Sequence, residues 1–222
     1  MDNKKFYNES SMENGFFERK FEILKNLVDK GSNVLDLGCY DGRVANFLTE
    51  EMDCIVDGAD VSDININKDN KIINKYIFDL NEEKWPIEDK KYDYIIFTDV
   101  IEHIFDVDQF MLNVRKILKD DGFIVFSTPN LASLGRRVLL MAGKNPYVEI
   151  SKHKEINLFN APVVGHIRYF TLGNMKALAT FYGFSVSRVE ASSFTGGISI
   201  KFLEKMFPSL CWHIFIKARK IK

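Results

Sequence analysis

Apolar residues recur at three- and four-residue steps over residues 16–28, where Phe17, Phe21, Leu24 and Val28 share one face. That period predicts an amphipathic helix, and Gly31 stops it. The pattern then shortens. Val34-Leu35-Asp36-Leu37 is a β-rich run between Ser32-Asn33 and Gly38, and reads as a strand. Residues 43–50 (RVANFLTE) read as a helix, 55–60 as a second strand and 76–78 as a short third one. Tyr94-Ile95-Ile96-Phe97 is continuously apolar, as a strand buried on both faces should be. Residues 106–118 form a helix with Phe110, Val114, Ile117 and Leu118 on one face and Asp106 or Asp108 as N-cap. Asp121-Gly122 turns the chain into a strand over 123–127, which Pro129 ends.

Strands alternating with helices imply a parallel sheet with helices on both faces, joined by right-handed crossovers. After Pro129 the rhythm breaks. Residues 130–170 are mixed and long, and connections of that length usually carry function. A helix over 172–182, capped by Gly183, and a strand over 185–189 restore order. An irregular stretch, 192–208, precedes a last strand over 210–218. No repeat, low-complexity tract or linker divides the chain. The expectation is one domain over 1–222, with an N-terminal arm (1–15) and two insertions (130–170 and 192–208).

Composition narrows the partners. The 222 residues carry 30 Lys+Arg against 31 Asp+Glu, so the general basic excess of a nucleic-acid binder is missing. Three cysteines, Cys39, Cys54 and Cys211, form no C-x-x-C pair, which argues against a disulfide framework and for a reducing compartment. The polar start MDNKKFYNESSMENG has no apolar signal core, and no apolar run reaches the roughly 18 residues of a membrane span. A cytoplasmic protein with at most peripheral membrane contact is expected. Residues 131–141 (LASLGRRVLLM) suit packing on the core or a partner better than docking at a membrane interface.

The chemistry concentrates in Val34-Leu35-Asp36-Leu37-Gly38-Cys39-Tyr40-Asp41-Gly42, a strand entering a glycine-bearing turn before a helix. Glycines there let backbone approach a ligand. A phosphate-binding G-x-x-x-x-G-K-S/T string does not occur. The dinucleotide pattern G-x-G-x-x-G fails too, because its second and third glycines would be Tyr40 and Arg43. What remains is a loop for a ligand without a pyrophosphate.

VLDLGCYDG resembles the first motif of the class I S-adenosylmethionine (SAM) methyltransferases, and the later motifs follow in that family's order. Asp60, followed by Val61, matches the acidic residue that holds the ribose hydroxyls. Asp79-Leu80 matches the pair that meets the adenine. YDYIIFTDVIEHI resembles the fourth-strand motif, with Asp99 and Val100 in the cofactor wall. LKDDGFIVFSTPN and His166-Ile167-Arg168-Tyr169-Phe170-Thr171 resemble later blocks of the same family. The resemblance covers roughly residues 16–217. It implies a Rossmann-like α/β fold with a seven-stranded, mostly parallel sheet and an antiparallel last strand. It implies SAM as cofactor, held by Asp36, Gly38, Cys39, Tyr40, Gly42, Asp60, Val61, Asp79, Leu80, Asp99 and Val100.

Asp36 and the loop N–H groups are expected to face the methionine part of the cofactor. Tyr40 stands where the family has a glycine, so its backbone is expected in a region open to ordinary residues. His103, just past the fourth strand, is the candidate general base. Asp99, Glu102 and His103 also make a D-x-x-E-H string similar to the E-x-x-E-H of ubiquinone-type O-methyltransferases, which are metal-assisted; no metal is assigned to it here. His166, Arg168 and Tyr169 either line the substrate mouth or anchor the insertion. Arg19 reads as part of a solvated face, with the SAM carboxylate as the alternative. The acceptor is read as a small molecule, glycan or lipid-linked compound with an oxygen nucleophile. The open alternatives are a SAM-binding protein without transfer activity and another nucleotide-binding enzyme.

Overall fold

In the computed structural model of the chain, residues 17–68, 70–87, 90–147, 153, 156–157, 165–193 and 200–221 are described. The N-terminal arm, most of 148–164 and residues 194–199 lie outside them. The first predicted helix is α1 (Phe17–Leu27). It buries Ile23, Leu24 and Leu27, and also Lys20. Seven strands follow, interleaved with helices: β1 (Asn33–Leu37), α2 (Arg43–Met52), β2 (Ile55–Asp60), α3 (Asp63–Ile66), β3 (Lys75–Ile77), β4 (Tyr92–Thr98), a 3-10 turn (Ile101–His103), α4 (Val107–Ile117), β5 (Leu118–Pro129), α5 (Leu134–Met141), α6 (Leu172–Phe181), β6 (Phe184–Ser192), α7 (Lys201–Met206), a second 3-10 turn (Pro208–Leu210) and β7 (His213–Lys220).

The sheet order is β3-β2-β1-β4-β5-β7-β6. Pairings among β1 to β5 are parallel, and β7 runs antiparallel to both β5 and β6. The expected Rossmann-like α/β sheet with an antiparallel last strand is therefore the observed one. Alternate strand residues feed opposite faces. Leu35, Ile95, Phe97 and Phe126 pack with Phe110 and Val114 of α4 and Met175 of α6. Val34, Ile96, Val125 and Phe215 pack with Leu24 of α1 and Leu48 of α2. Phe97 stacks on Phe126 at 5.0 Å between centroids. Each such ring, fully buried, contributes roughly 1.5–3 kcal/mol. The strand order reverses between β1 and β4, and open α/β sheets bind ligands at the carboxyl ends of strands beside such a switch.

Several boundaries moved for physical reasons. The Asp121-Gly122 turn is a four-residue excursion inside β5: Tyr92 pairs Leu118, but Tyr94 pairs Phe123. Residues 192–208 hold the short helix α7 because Glu204 turns inward to Arg19, at 2.6 Å. Arg19 is thus half-buried in an ion pair rather than on a solvated face. β7 begins at His213 because Pro208–Leu210 form the 3-10 turn. Helix α5 turns Arg136 inward, while Val138, Leu140 and Met141 are exposed. Its apolar residues do not pack on the core. The three cysteines are free and buried. No helix among the described residues is long and apolar enough to cross a membrane.

Candidate active site

The turn after β1 is held by contacts that only glycines allow. Gly38 has φ +72°, and a Cβ there would lie 2.5 Å from Val100 Cγ2. Gly42 has φ +80° and would meet the Asn70 side chain at 2.7 Å. Tyr40 also lies in the left-handed region, at φ +49°. That region is narrow but open to non-glycine residues, and the turn imposes it on Tyr40 at a cost of roughly 1–2 kcal/mol. The compensation is local. Tyr40 N–H donates to Asp60 Oδ2 at 2.8 Å, and the Lys68 ammonium sits 5.4 Å from the ring centre. Gly38 and Cys39 N–H groups both donate to Ala59 O, and Gly42 N–H to Cys39 O. These donors are used inside the protein, so the expectation that loop N–H groups face a ligand is not met at these three residues or at Tyr40.

Asp36 and Asp60 are both buried. Strand pairing places Asp36 opposite Gly58 of β2 and Ile96 of β4, one residue before the turn. Its Oδ2 has no hydrogen-bond partner. Burial pushes its carboxyl up to about 7; nearby Lys20 opposes this and Asp60 adds to it. Asp60 accepts Ser62 N–H on Oδ1 and Tyr40 N–H on Oδ2, each at 2.8 Å. Burial raises it despite those backbone donors. Cys39 packs its sulfur against Gly58, and burial pushes its thiol well up. Asp79 Oδ1 accepts both N–H groups of Asn81, which closes its own turn, and Leu80 is buried beside it. Val61 is half-buried.

The other wall follows β4. Asp99 has φ +58°. Lys20 Nζ lies 2.6 Å from its Oδ2, while His213 Nε2 at 3.2 Å and Ser127 Oγ at 3.1 Å meet Oδ1. Burial acts upward on Asp99, but Lys20 and His213 together hold it well below the usual carboxylate range. Three residues on, Glu102 is fully enclosed, and neither carboxylate oxygen has a hydrogen-bond partner. Burial and the Asp99 charge push Glu102 well up; the Thr128 hydroxyl opposes them without reaching hydrogen-bond geometry. Two neighbouring carboxyls are thus driven apart in protonation, a pattern that separates acid from base roles in many sites.

His103 Nδ1 lies 3.1 Å from Gly165 O. A carbonyl only accepts, so Nδ1 donates and Nε2 is the basic nitrogen. His166 packs on His103 at 5.0 Å between ring centres, and its Nε2 lies 3.8 Å from Glu102 Oε1. One ligand atom each from Glu102, His103 and His166 lies within 4.8 Å of the others, the geometry a cation could use. Asp99, which the D-x-x-E-H spacing would add, turns to Lys20 and His213 instead.

The 165–170 segment is anchored beside the first 3-10 turn. Ile167 and Arg168 N–H groups donate to Glu102 O, and the Arg168 guanidinium donates to Ile104 O at 2.8 Å and to Phe105 O. Arg168 is therefore an anchor. His166 and Tyr169 point toward Tyr147, with ring separations of 6.0 and 3.7 Å. Lys20, His213, Arg136 and Tyr147 border these groups and were not singled out as candidates from the sequence. Two carried a signal: Lys20 lies four and seven residues before Leu24 and Leu27, a lysine on the apolar face of α1, and Arg136 is a charge inside an apolar run.

A doubly wound sheet, a glycine turn after β1, and acids at the ends of β1, β2 and β4 are the features of a class I SAM-dependent methyltransferase. The chain belongs to the family described as methyltransferase domain, whose sequence model matches residues 12–189. It is similar to a ubiquinone biosynthesis O-methyltransferase of Rickettsia conorii, 34% identical over 119 residues, covering 51% of this chain and 40% of that enzyme. The match thus spans well under half of that relative's length. Among solved structures it resembles a SAM-dependent methyltransferase, possibly a histamine N-methyltransferase, from Thermotoga maritima, with TM-score 0.65, 16% identity and coverage of 92% and 89% of the two chains. A SAM-dependent methyltransferase from Mesorhizobium loti gives TM-score 0.60 and 18% identity, with 90% and 96% covered.

Proposed function

We propose that this enzyme moves a methyl group to an oxygen of a small-molecule, glycan or lipid-linked acceptor, with His103 as general base. Two observations support the reading: the buried Asp36, whose Oδ2 has no hydrogen-bond partner, at the end of β1, and the His103 ring, turned to Gly165 O, just past β4. The name of the Rickettsia relative, an O-methyltransferase, supports an oxygen nucleophile. Bound SAM supplies a methyl group already activated on a sulfonium, so the residues here mainly position and move a proton. Asp36 would take the ammonium of the methionine part. Asp60 keeps unused lone pairs beside its two backbone bonds, and would accept from the ribose hydroxyls. Asp79 and Leu80 would border the adenine. Gly38, Cys39, Tyr40, Gly42, Val61, Asp99 and Val100 would give the cleft its shape. His103 Nε2 would take the proton of the acceptor hydroxyl as the oxygen becomes nucleophilic.

Calorimetry tests the cofactor half. S-adenosylhomocysteine should bind and NAD should not; the reverse would overturn the reading. Replacing Asp60 by Ala should weaken S-adenosylhomocysteine by roughly 1–3 kcal/mol, the cost of unpaired buried polar groups.

Asp36 adds a pH dependence. In the cofactor-free protein it keeps its proton up to about pH 7. Its folded value lies above the unfolded one, so its stabilising contribution is present at low pH and fades as pH rises through that window. An ammonium ligand favours the carboxylate. Affinity for SAM should therefore fall below pH 7, by up to about tenfold per pH unit, with a proton released on binding. Titrations in buffers of different ionisation enthalpy read that proton directly. Affinity that stays flat across this range in the wild type, or keeps its slope in Asp36→Asn, would remove Asp36 from the role.

A further inference from the structure

Arg136 is a buried cation that the proposed transfer chemistry does not use. It is 6% exposed, on the inward side of α5. Nη1 donates to Asn130 O at 2.8 Å, and Nε has no hydrogen-bond partner. The Trp212 ring centre lies 4.3 Å from its Cζ and the Tyr147 ring centre 4.9 Å. Among the described residues no carboxylate comes within 4.0 Å of it. A buried guanidinium without a paired anion is costly, and aromatic contact offsets only part of that cost. Glu102 is near enough to act on Arg136 electrostatically, but no ion pair joins them. Burial also drives Glu102 toward its neutral form.

The position of Arg136 is fixed rather than accidental. Asn130, whose carbonyl receives Nη1, sits at the end of β5. Its side chain donates to Ser209 O and Cys211 O, and its N–H donates to Trp212 O. The guanidinium is therefore braced against the sheet before any ligand arrives. From Tyr147 the ring contacts lead to His166 and on to His103. Arg136 thus stands at the far end of the same side-chain cluster as the base. A planar guanidinium with unused donors matches a carboxylate or phosphate better than any neutral group.

We propose that Arg136 anchors the acceptor through an oxyanion, so that the acceptor carries a carboxylate or phosphate group as well as the oxygen that is methylated. This rests on the reading of His103 and its neighbours as the acceptor side of a methyltransferase. It names the acceptor's chemical class.

The test is calorimetry on the full chain saturated with S-adenosylhomocysteine, using matched probes: 3,4-dihydroxybenzoate against 3,4-dihydroxybenzamide, and phenyl phosphate against phenol. At least one anion should bind roughly ten- to hundredfold more tightly than its neutral match. Whether the carboxylate or the phosphate pair shows this assigns the group. Arg136→Met should abolish the preference and leave the affinity for S-adenosylhomocysteine unchanged. Arg136→Lys, which keeps a point charge without the fork, should retain only part of it. No anion preference in the wild type, or the same preference in Arg136→Met, would overturn the proposal. If Arg136→Met does not fold, an unchanged preference in Arg136→Lys overturns it instead. Failure of the broader reading looks different: the wild type would not bind S-adenosylhomocysteine, or would prefer anions while transferring no methyl group to any hydroxyl.

Discussion

Replacing Lys20 by Met should destabilise the fold by about 3 kcal/mol at neutral pH, the lower end of what breaking a buried ion pair costs. Lys20 Nζ sits 2.6 Å from Asp99 Oδ2, with side-chain exposures of 7% and 20%. The residual exposure of Asp99 is why the lower end applies. The methionine fills the same volume on the buried face of α1, so the lost charge dominates. Asp99 would keep His213 and Ser127 but lose its strongest cation. Because its folded value is depressed, its stabilising contribution is present above the unfolded carboxylate value and is lost only as pH falls through the folded one. In Lys20→Met that window should shrink, and the acid-unfolding midpoint should rise. Urea unfolding of Lys20→Met, Asp99→Asn and the double variant gives the coupling energy. A coupling below about 1 kcal/mol would mean that the pair is no stronger than a surface salt bridge.

This ion pair also marks the limit of what the sequence discloses. The glycine turn was legible because its residues are consecutive: Gly38 and Gly42 are needed for φ above zero and for clearance from Val100 and Asn70. Strands β1, β2 and β4 were legible because their apolar runs are short and bounded. Lys20 and Asp99 stand 79 positions apart, and only the packing of α1 against the sheet brings them together. The same holds for His213 with Asp99, and for Arg136 with Trp212. Arg136 was visible as a charge in an apolar run, but its inward orientation depends on Asn130 and on the Tyr147 and Trp212 rings. The D-x-x-E-H string misled for a related reason. A helical turn would place Asp99 beside Glu102, yet Asp99 takes φ +58° ahead of the 3-10 turn and faces α1. His166 takes the place of Asp99 from much further along the chain.

His103→Ala should lower kcat by roughly 10²- to 10⁴-fold, the usual contribution of a positioned base. Affinity for S-adenosylhomocysteine should stay within about twofold, because none of the buried acids on the cofactor side touches the ring. The size of the loss depends on the acceptor. A hydroxyl needs its proton removed as the carbon–oxygen bond forms, whereas an ionised carboxylate does not. An unchanged kcat would therefore exclude His103 as the base. His103 Nδ1 is turned to Gly165 O, so His103→Gln keeps a donor toward that carbonyl without supplying a basic nitrogen. If His103 acts as base, Gln should be as slow as Ala. If it only holds the 165–168 segment in place, Gln should recover most of the activity. A third outcome separates base from metal ligand. Glu102, His103 and His166 lie close enough to share a cation. Wild-type activity lost to a chelator and restored by Mg²⁺ would move His103 from proton acceptor to ligand.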